Sequence, residues 1–468
     1  MTDSAVAESC RLTVRAPSVT IDLAVPADVP VADLLPTLLR YVGEEAEEAG
    51  LDHAGWVLQR LGDAPLDEET TLARAGLADG TVLHLRPHTE ALPEARLDDL
   101  VDGIAETVGR RLHTWHAGAA RGLLVGTAVA TVAAALLLVF WPGATESAAT
   151  RAALAAVAGL LLLAGAGSAS RAVGDRLSAA ALALLVAPCF ALVGWVLPGG
   201  DLSGPDAAQV AGARLLAAGA AAAGGAVLAL AATAVGAPAL LATALVAVAT
   251  AVSGALMGYT GLDAAAAVAL VATIVALAAG AVAPFAFKLA GMRMPALPSS
   301  AGQLQEGIDP YAGDEVAERT ELAGRWVTAL FAATGAIAAA ALTVLAQHPD
   351  LPETLTALAL TLLLLLHSRG LVHIGQRLTL AVPGVWGLLL LARAWAVDSD
   401  ADGRVVVFGV LLAAAALLVT ASWTVPGRRV LPYWGRAAEL AHTGLAVALL
   451  PLTLWTAGLF GWLRGLFG

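Results

Sequence analysis

The chain has 468 residues, of which 58% are hydrophobic, 14% charged and 5% aromatic, and its mean hydropathy is +0.77. Soluble globular proteins carry roughly 25% charged residues, so this composition excludes that class and indicates a membrane protein. Residues 1–106 hold 21 Asp or Glu against seven Arg, and the net charge of the chain is -12. Because no basic face is available to neutralise phosphates, nucleic-acid binding is not expected.

Residues 10–88 are predicted to form a small α/β domain of the order ββαββ. Two runs with period-2 alternation, CRLTVRA and VTIDLAV, predict a hairpin. Apolar residues at three- and four-residue spacing from Leu34 to Val42 predict a helix, with Pro36 expected in its first turn. WVLQRL and GTVLHLRP supply the last two strands.

That order resembles the ubiquitin-like β-grasp fold, and the phrase TTLARAGLADGTVLHL is similar to the segment before the last strand of such domains. The segment ends LRPHTE without a terminal di-glycine, which excludes conjugation chemistry. We therefore expect the domain to dock a partner; the alternative is a packing domain without one.

Residues 1–9 are expected to be a flexible N-terminus and residues 89–118 an amphipathic linker helix. Arg110 and Arg111, at the end of the linker, are expected at the level of the lipid headgroups; alternatively, the linker packs back onto the preceding domain. Cys10 and Cys189 fall in different segments, so no disulfide is expected. No signal peptide is recognisable, which predicts a cytoplasmic N-terminal domain.

A membrane-spanning helix needs ~20 apolar residues, and residues 119–468 contain eleven such runs. The predicted spans are 119–141, 152–170, 177–197, 210–233, 236–256, 264–287, 324–346, 352–368, 377–396, 405–425 and 437–461. A polar loop, residues 288–323, separates six spans from five.

The positive-inside rule orients these spans. With the N-terminus in the cytoplasm, the cytoplasmic segments hold fourteen Lys or Arg and the outer segments five. Lys288, Arg428 and Arg429 are then expected, like Arg110 and Arg111, to anchor helix ends at the inner surface. The C-terminus is predicted to be extracytoplasmic.

No catalytic, cofactor or metal site is expected. DSDADG, residues 398–403, matches the start of a calcium loop, but Gly409 stands where the bidentate Glu is required. The pairs His113 with His116 and His367 with His373 lack Cys or carboxylate partners at ligand spacing. The span centres lack the ionisable groups of coupled transporters, although a secondary transporter with a cytosolic regulatory domain remains the alternative, as does a membrane-embedded enzyme.

Small residues recur at four-residue intervals, as in Gly118, Gly122 and Gly126, and again in Gly254 with Gly258 and Gly461 with Gly465. Such faces allow close helix contact, either within one chain or between subunits.

The whole chain resembles the EccD family, the polytopic membrane component of type VII (ESX) secretion systems of mycobacteria and related actinobacteria. The most specific phrase is KLAGMRMPALPS from Lys288, which is similar to a loop segment of the family and contains Arg293, Pro295 and Pro298. We expect these three residues to contact a partner.

The resemblance implies a non-enzymatic scaffolding role in an inner-membrane complex. Its expected partners are EccB, EccC and EccE subunits, of which EccC is the ATPase, together with membrane lipids. It also implies that two copies pair within each protomer, and that the ubiquitin-like domain contacts cytosolic parts of EccC and EccE.

Overall fold

The structure is a computed structural model that describes residues 9–17, 19–42, 55–88, 117–141, 146–292, 313–348, 350–424 and 432–467. The chain divides into two compact units, Met1–His116 and Ala117–Gly468. Residues 110, 111, 293, 295, 298, 428 and 429 lie outside the described residues. Their expected roles therefore stay predictions.

The N-terminal unit confirms the predicted order of elements. Strands β1 (Ser9–Arg15) and β2 (Thr20–Pro26) precede helix α1 (Val31–Val42), and strands β3 (Trp56–Gln59) and β4 (Thr81–Pro87) follow it. The sheet order is β2-β1-β4-β3, with β1 parallel to β4 and the other two pairs antiparallel. This arrangement confirms the β-grasp prediction.

One face of the sheet packs on α1, because the apolar residues alternate along the strands while those of α1 recur at helical spacing. Leu83, Leu85 and Val14 are fully enclosed in this core. The other buried members include Leu12, Leu34, Leu35, Leu38, Trp56, Leu58 and Leu72. The unit therefore has a hydrophobic core of its own.

The position predicted for Pro36 was wrong, because α1 begins at Val31 and Pro36 lies in the second turn. The helix starts this early because the backbone N–H of Val31 donates to Thr70 O and that of Ala32 to Glu68 O. These two bonds hold the first turn in place. At Pro36 the helix forgoes one i→i−4 hydrogen bond.

Eleven helices of the described residues are long and apolar enough to cross a membrane. They are α2 (Ala117–Val139), α3 (Ala148–Ser168), α4 (Arg176–Val196), α5 (Ala207–Thr233), α6 (Ala237–Ala255), α7 (Ala264–Ala278) continued by α8 (Val282–Leu289), α9 (Gly313–Leu345), α10 (Leu351–Arg369), α11 (Ile374–Asp398), α12 (Ala401–Thr424) and α13 (Pro432–Thr456). A short helix, α14 (Leu459–Phe467), follows.

Polar side chains set where several of these helices begin. Ser147 accepts a hydrogen bond from the backbone N–H of Thr150, Asp175 from Ser178 and Asp263 from Ala266. Each bond satisfies a donor that the first turn of a helix leaves free. Helix α9 begins at Gly313 rather than near residue 324, so its first turns occupy part of the predicted loop.

Helices α5 and α6 are in backbone contact. A methyl group placed on Gly219 would lie 2.4 Å from the backbone N of Ala251 and 2.5 Å from Ala247 O. One placed on Gly254 would lie 2.3 Å from the backbone N of Leu216. Only glycine permits this approach. The stripe at Gly254 therefore serves packing within the chain.

The alternating direction of the spans brings one set of helix ends together. We call this the Lys288 end: α2, α4, α6, α9, α11 and α13 begin there, and α3, α5, α8, α10 and α12 end there. Side chains link these ends to one another. Arg171 Nε, for example, donates to Ala232 O at the end of α5, and Arg369 Nη2 to Gly435 O at the start of α13.

Candidate interaction surfaces

Strand β2 forms one edge of the N-terminal sheet, and no other strand of the described residues pairs with its free side. Ile21, Leu23 and Val25 point towards α1 and are half-buried, whereas the residues between them are exposed. An unpaired edge strand presents backbone donors and acceptors to a further strand. Among the described residues, this side of the sheet is therefore unpaired.

A groove of about 270 Å³ runs between β2 and α1, and we call it the edge groove. Leu34, Leu38 and Tyr41 line it on the α1 side. Tyr41, a large aromatic residue, is 69% exposed. In the sequence, four glutamates (Glu44, Glu45, Glu47 and Glu48) follow directly after α1. The edge groove is thus lined largely by apolar side chains, and an acidic segment follows α1 in the sequence.

Cys10 of β1 is buried in the core of the N-terminal unit. Burial, and secondarily the Asp79 carboxylate, raise the pKa of its thiol. Cys10 and Cys189 are both free thiols. A raised pKa leaves less nucleophilic thiolate at neutral pH, so Cys10 belongs to the core.

An ion pair joins α2 to α4 at the Lys288 end. Arg121 pairs with Asp175, whose side chain is 17% exposed and also accepts a hydrogen bond from Ser178 Oγ at 2.6 Å. The Arg121 partner and the two bonds from Ser178 hold the pKa of Asp175 well below its usual range. The Asp175 carboxylate therefore caps the start of α4 and pairs with a side chain of α2.

Of the eight predicted site residues, the structure describes Lys288 alone. It is exposed in the last turn of α8, where its positive charge interacts favourably with the negative C-terminal end of the helix dipole. Nearby, Arg319 of α9 donates to Gly291 O and pairs with Glu315. The beginning of α9 is thus tied to the end of α8.

Sequence reasoning missed a histidine pair between α10 and α13. His367 Nδ1 and His442 Nε2 lie 3.2 Å apart, and the ring of Phe331 packs against His367 with centroids 5.4 Å apart. No sequence signal could have found it, because the two histidines are 75 residues apart.

A buried carboxylate was also missed. Glu353, in the first turn of α10, is 9% exposed, and its Oε2 has no hydrogen-bond partner among the described residues. The negative charge of a Glu in the first turn interacts favourably with the positive N-terminal end of the helix dipole. Its burial depends on how α10 packs, which the local sequence does not show.

The acidic turn DSDADG begins a helix. Asp402 and Gly403 lie inside α12, and Asp400 Oδ1 accepts a hydrogen bond of 2.8 Å from the backbone N–H of Gly403. Across the described residues, no group of three His, Cys, Asp or Glu side chains could hold a metal ion. The arrangement of DSDADG is that of a helix cap.

Helices α2 and α12 bury almost none of their side chains in the described part of the chain. Methyl groups placed on Gly122 and Gly126 of α2 would meet open space within 4 Å, and the same holds for Gly461 and Gly465 of α14. Unlike the stripe at Gly254, these two stripes are not used within the described chain. They leave small-residue faces open.

Comparison with known proteins agrees with both units. Residues 120–466 match the family "EccD-like transmembrane domain", and residues 9–85 match the family "WXG100 protein secretion system (Wss), protein YukD". The ESX-4 secretion system protein eccD4 of Mycobacterium tuberculosis, in strains CDC 1551 and H37Rv, is 37% identical over 95 residues, which is 20% of this chain and 20% of eccD4. The aligned part thus spans about a fifth of these relatives.

Two solved structures share the fold. One, titled "Structure of protomer 1 of the ESX-3 core complex", aligns with 97% of this chain and 100% of its own at 18% identity and a TM-score of 0.56. The other, "MycP5-free ESX-5 inner membrane complex, State II", aligns with 90% of this chain and 100% of its own at 19% identity and a TM-score of 0.58. Because the EccD-like model covers well over half of the sequence, the chain belongs to the EccD family of polytopic membrane proteins of type VII secretion systems.

Proposed function

We propose that the protein is a non-enzymatic subunit of a type VII (ESX) inner-membrane complex, which it scaffolds while docking the ATPase through its N-terminal unit. The observation that carries this proposal is the combination, in one chain, of a β-grasp unit with an open edge groove and eleven membrane-spanning helices. The fold it shares with chains from ESX-3 and ESX-5 complexes supports the same role.

The edge groove is the proposed docking surface for a cytosolic segment of the EccC-type ATPase, with an EccE-type subunit as a further partner. An extended segment can add a strand to β2 through backbone hydrogen bonds and place alternate apolar side chains against Leu23 and Tyr41. The glutamates after α1 favour basic residues in that segment.

The proposed orientation places the N-terminus and the Lys288 end in the cytoplasm and the C-terminus outside. The distribution of fourteen against five basic residues supports it. Arg293, Pro295 and Pro298, which follow α8, are then on the side where the ATPase acts, and we propose that they contact a partner there.

The open faces of α2 and α12 support contacts between subunits. A helix with apolar side chains all round and little burial in its own chain faces either lipid or a neighbouring protein. We propose that these faces serve pairing with a second copy and contact with an EccB-type subunit.

Purification of the full chain in a mild detergent, through a tag, tests the proposal. Mass spectrometry should identify the EccB, EccC and EccE subunits of the same secretion system at defined ratios. A protein that is recovered without an ATPase subunit, from cells that express the whole system, would contradict it. Transport of a solute by the protein alone in liposomes would favour the secondary transporter instead.

A further inference from the structure

A cavity of about 1340 Å³ opens between α6, α9 and α11 at the Lys288 end. Its described lining includes Gly236, Ala237 and Pro238 at the start of α6, and His373 and Gln376 at the start of α11. Its volume exceeds that of most small-molecule pockets, which hold ~300–1,000 Å³.

The cavity follows the axes of α6 and α9 from the Lys288 end. On α6 its lining extends from Ala237 to Val246, and on α9 from Ala317 to Ala333. At the rise of an α-helix, nine residues of α6 correspond to ~14 Å. The hydrocarbon region of one leaflet is about half of ~30 Å. On α9, sixteen residues correspond to ~24 Å, but those before Trp326 are mostly polar, so the apolar part of the cavity is about as deep as one leaflet.

The polarity of the lining changes along this axis. Glu321, Arg325 and His373 lie at the Lys288 end of the cavity, which we call its opening. Ala329, Ala332 and Val246 lie further along α9 and α6, and we call this the deeper part. A second cavity, of about 460 Å³, lies on α6, α7, α8 and α9 and shares Ala333 with the first, but no charged residue lines it. Of these two cavities, only the first has both charged and apolar residues in its lining.

The charges at the opening are of both signs. Arg325 Nη2 lies 2.5 Å from Glu321 Oε1, and the two side chains are 66% and 67% exposed. A guanidinium has five N–H donors, so this one contact leaves others for a phosphate. Glu321 offers a carboxylate to a cation beside it. Helices α6 and α11 begin at the cavity without a side-chain cap. The positive ends of their helix dipoles also favour a bound phosphate.

We propose that this cavity binds one phospholipid of the leaflet at the Lys288 end, with a headgroup that carries both a phosphate and an ammonium. The phosphate contacts Arg325, the ammonium contacts Glu321, and an acyl chain lies along α6 and α9 past Ala329. The inference requires only that the chain lies in a membrane, so it does not depend on the secretion role.

Native mass spectrometry of the full chain tests this site. The protein is released from micelles containing equal amounts of dioleoyl phosphatidylethanolamine, phosphatidylcholine and phosphatidylglycerol. We expect one retained lipid, predominantly phosphatidylethanolamine, whose small ammonium fits a carboxylate. Arg325→Gln should lower its retention on the order of tenfold, which corresponds to ~1.4 kcal/mol. Ala329→Phe, which fills the deeper part, should lower the retention of all three lipids.

The matched control is Arg319→Gln. Arg319 belongs to the same helix and pairs with Glu315 at the same i,i+4 spacing, but it does not line the cavity. Retention in this variant should stay within about twofold of the wild type, well inside the tenfold effect expected at the site. Equal losses in the two arginine variants, or no preference among the three lipids, would indicate surface lipid only and overturn the proposal. If a lipid is retained only after residues 293–312 are replaced by a Gly-Ser linker, that segment and not a lipid is the native occupant of the cavity, which would also overturn the proposal.

Discussion

The backbone contact between α5 and α6 makes Gly219 a sensitive position. In Gly219→Ala, the new methyl group would lie 2.4 Å and 2.5 Å from two backbone atoms of α6, whereas carbon makes favourable contacts at ~3.5 Å or more. Neither backbone atom can rotate away, so the helices must separate by roughly 1 Å at this point. Overpacking of this kind costs ~1–3 kcal/mol.

Gly224→Ala is the matched control, because Gly224 lies on the same helix and a methyl group there meets open space. Alanine has a helix propensity higher than that of glycine by ~1 kcal/mol, so the control should be neutral or stabilising. Unfolding of the purified protein in increasing SDS, followed by tryptophan fluorescence, measures both variants. Equal midpoints for Gly219→Ala and Gly224→Ala would refute the backbone contact.

Three further predictions concern the Asp175 ion pair, the histidine pair and the orientation of the chain. Arg121 and Ser178 lower the pKa of Asp175, so the ionised carboxylate stabilises the folded protein above the usual carboxyl pKa, and this effect is lost as pH falls through the lowered pKa. Asp175→Asn should therefore lower the SDS midpoint at pH 7. The difference from wild type should shrink below pH ~4. His442→Ala leaves His367 without its partner and should cost ~1–3 kcal/mol, whereas His373→Ala, at an exposed position, should cost less; equal losses would argue against the histidine pair. In a variant without Cys10 and Cys189, Ser203→Cys should react with an impermeant maleimide on intact cells and Met292→Cys only after permeabilisation, and the reverse pattern would invert the proposed orientation.

The number of spans and the order of the N-terminal elements could be predicted because both depend on local patterns. An apolar run of ~20 residues and a period of two or 3.6 are visible in the sequence itself. The predicted spans 210–233 and 236–256 leave the turn between α5 and α6 at the position where Ala234 and Gly236 adopt positive φ values. The apolar pattern does not show where every helix ends. The first turns of α9, for example, are polar and are stabilised by the pairs of Glu315 with Arg319 and Glu321 with Arg325.

Contacts between distant helices could not be predicted. The spacing of Gly254 and Gly258 is the same as that of Gly122 and Gly126, yet only the first stripe meets another helix of the described chain. Likewise, the burial of Glu353 and the pairing of His367 with His442 depend on which helices are neighbours. Helix spacing in a sequence shows that a face exists, whereas the three-dimensional arrangement decides what covers it.

The proposed function depends most on docking of the ATPase by the N-terminal unit. The most direct measurement is the ratio of ATPase subunit to this chain in complexes purified through a tag on this chain. Tyr41→Ala removes the exposed side chain of the edge groove, and Leu61→Ala removes an equally exposed side chain, 71% exposed, elsewhere on the same unit. We expect a several-fold lower ratio in Tyr41→Ala, from ~1 kcal/mol of lost contact, and an unchanged ratio in Leu61→Ala. An unchanged ratio in Tyr41→Ala, with the complex otherwise intact, would contradict docking through the edge groove.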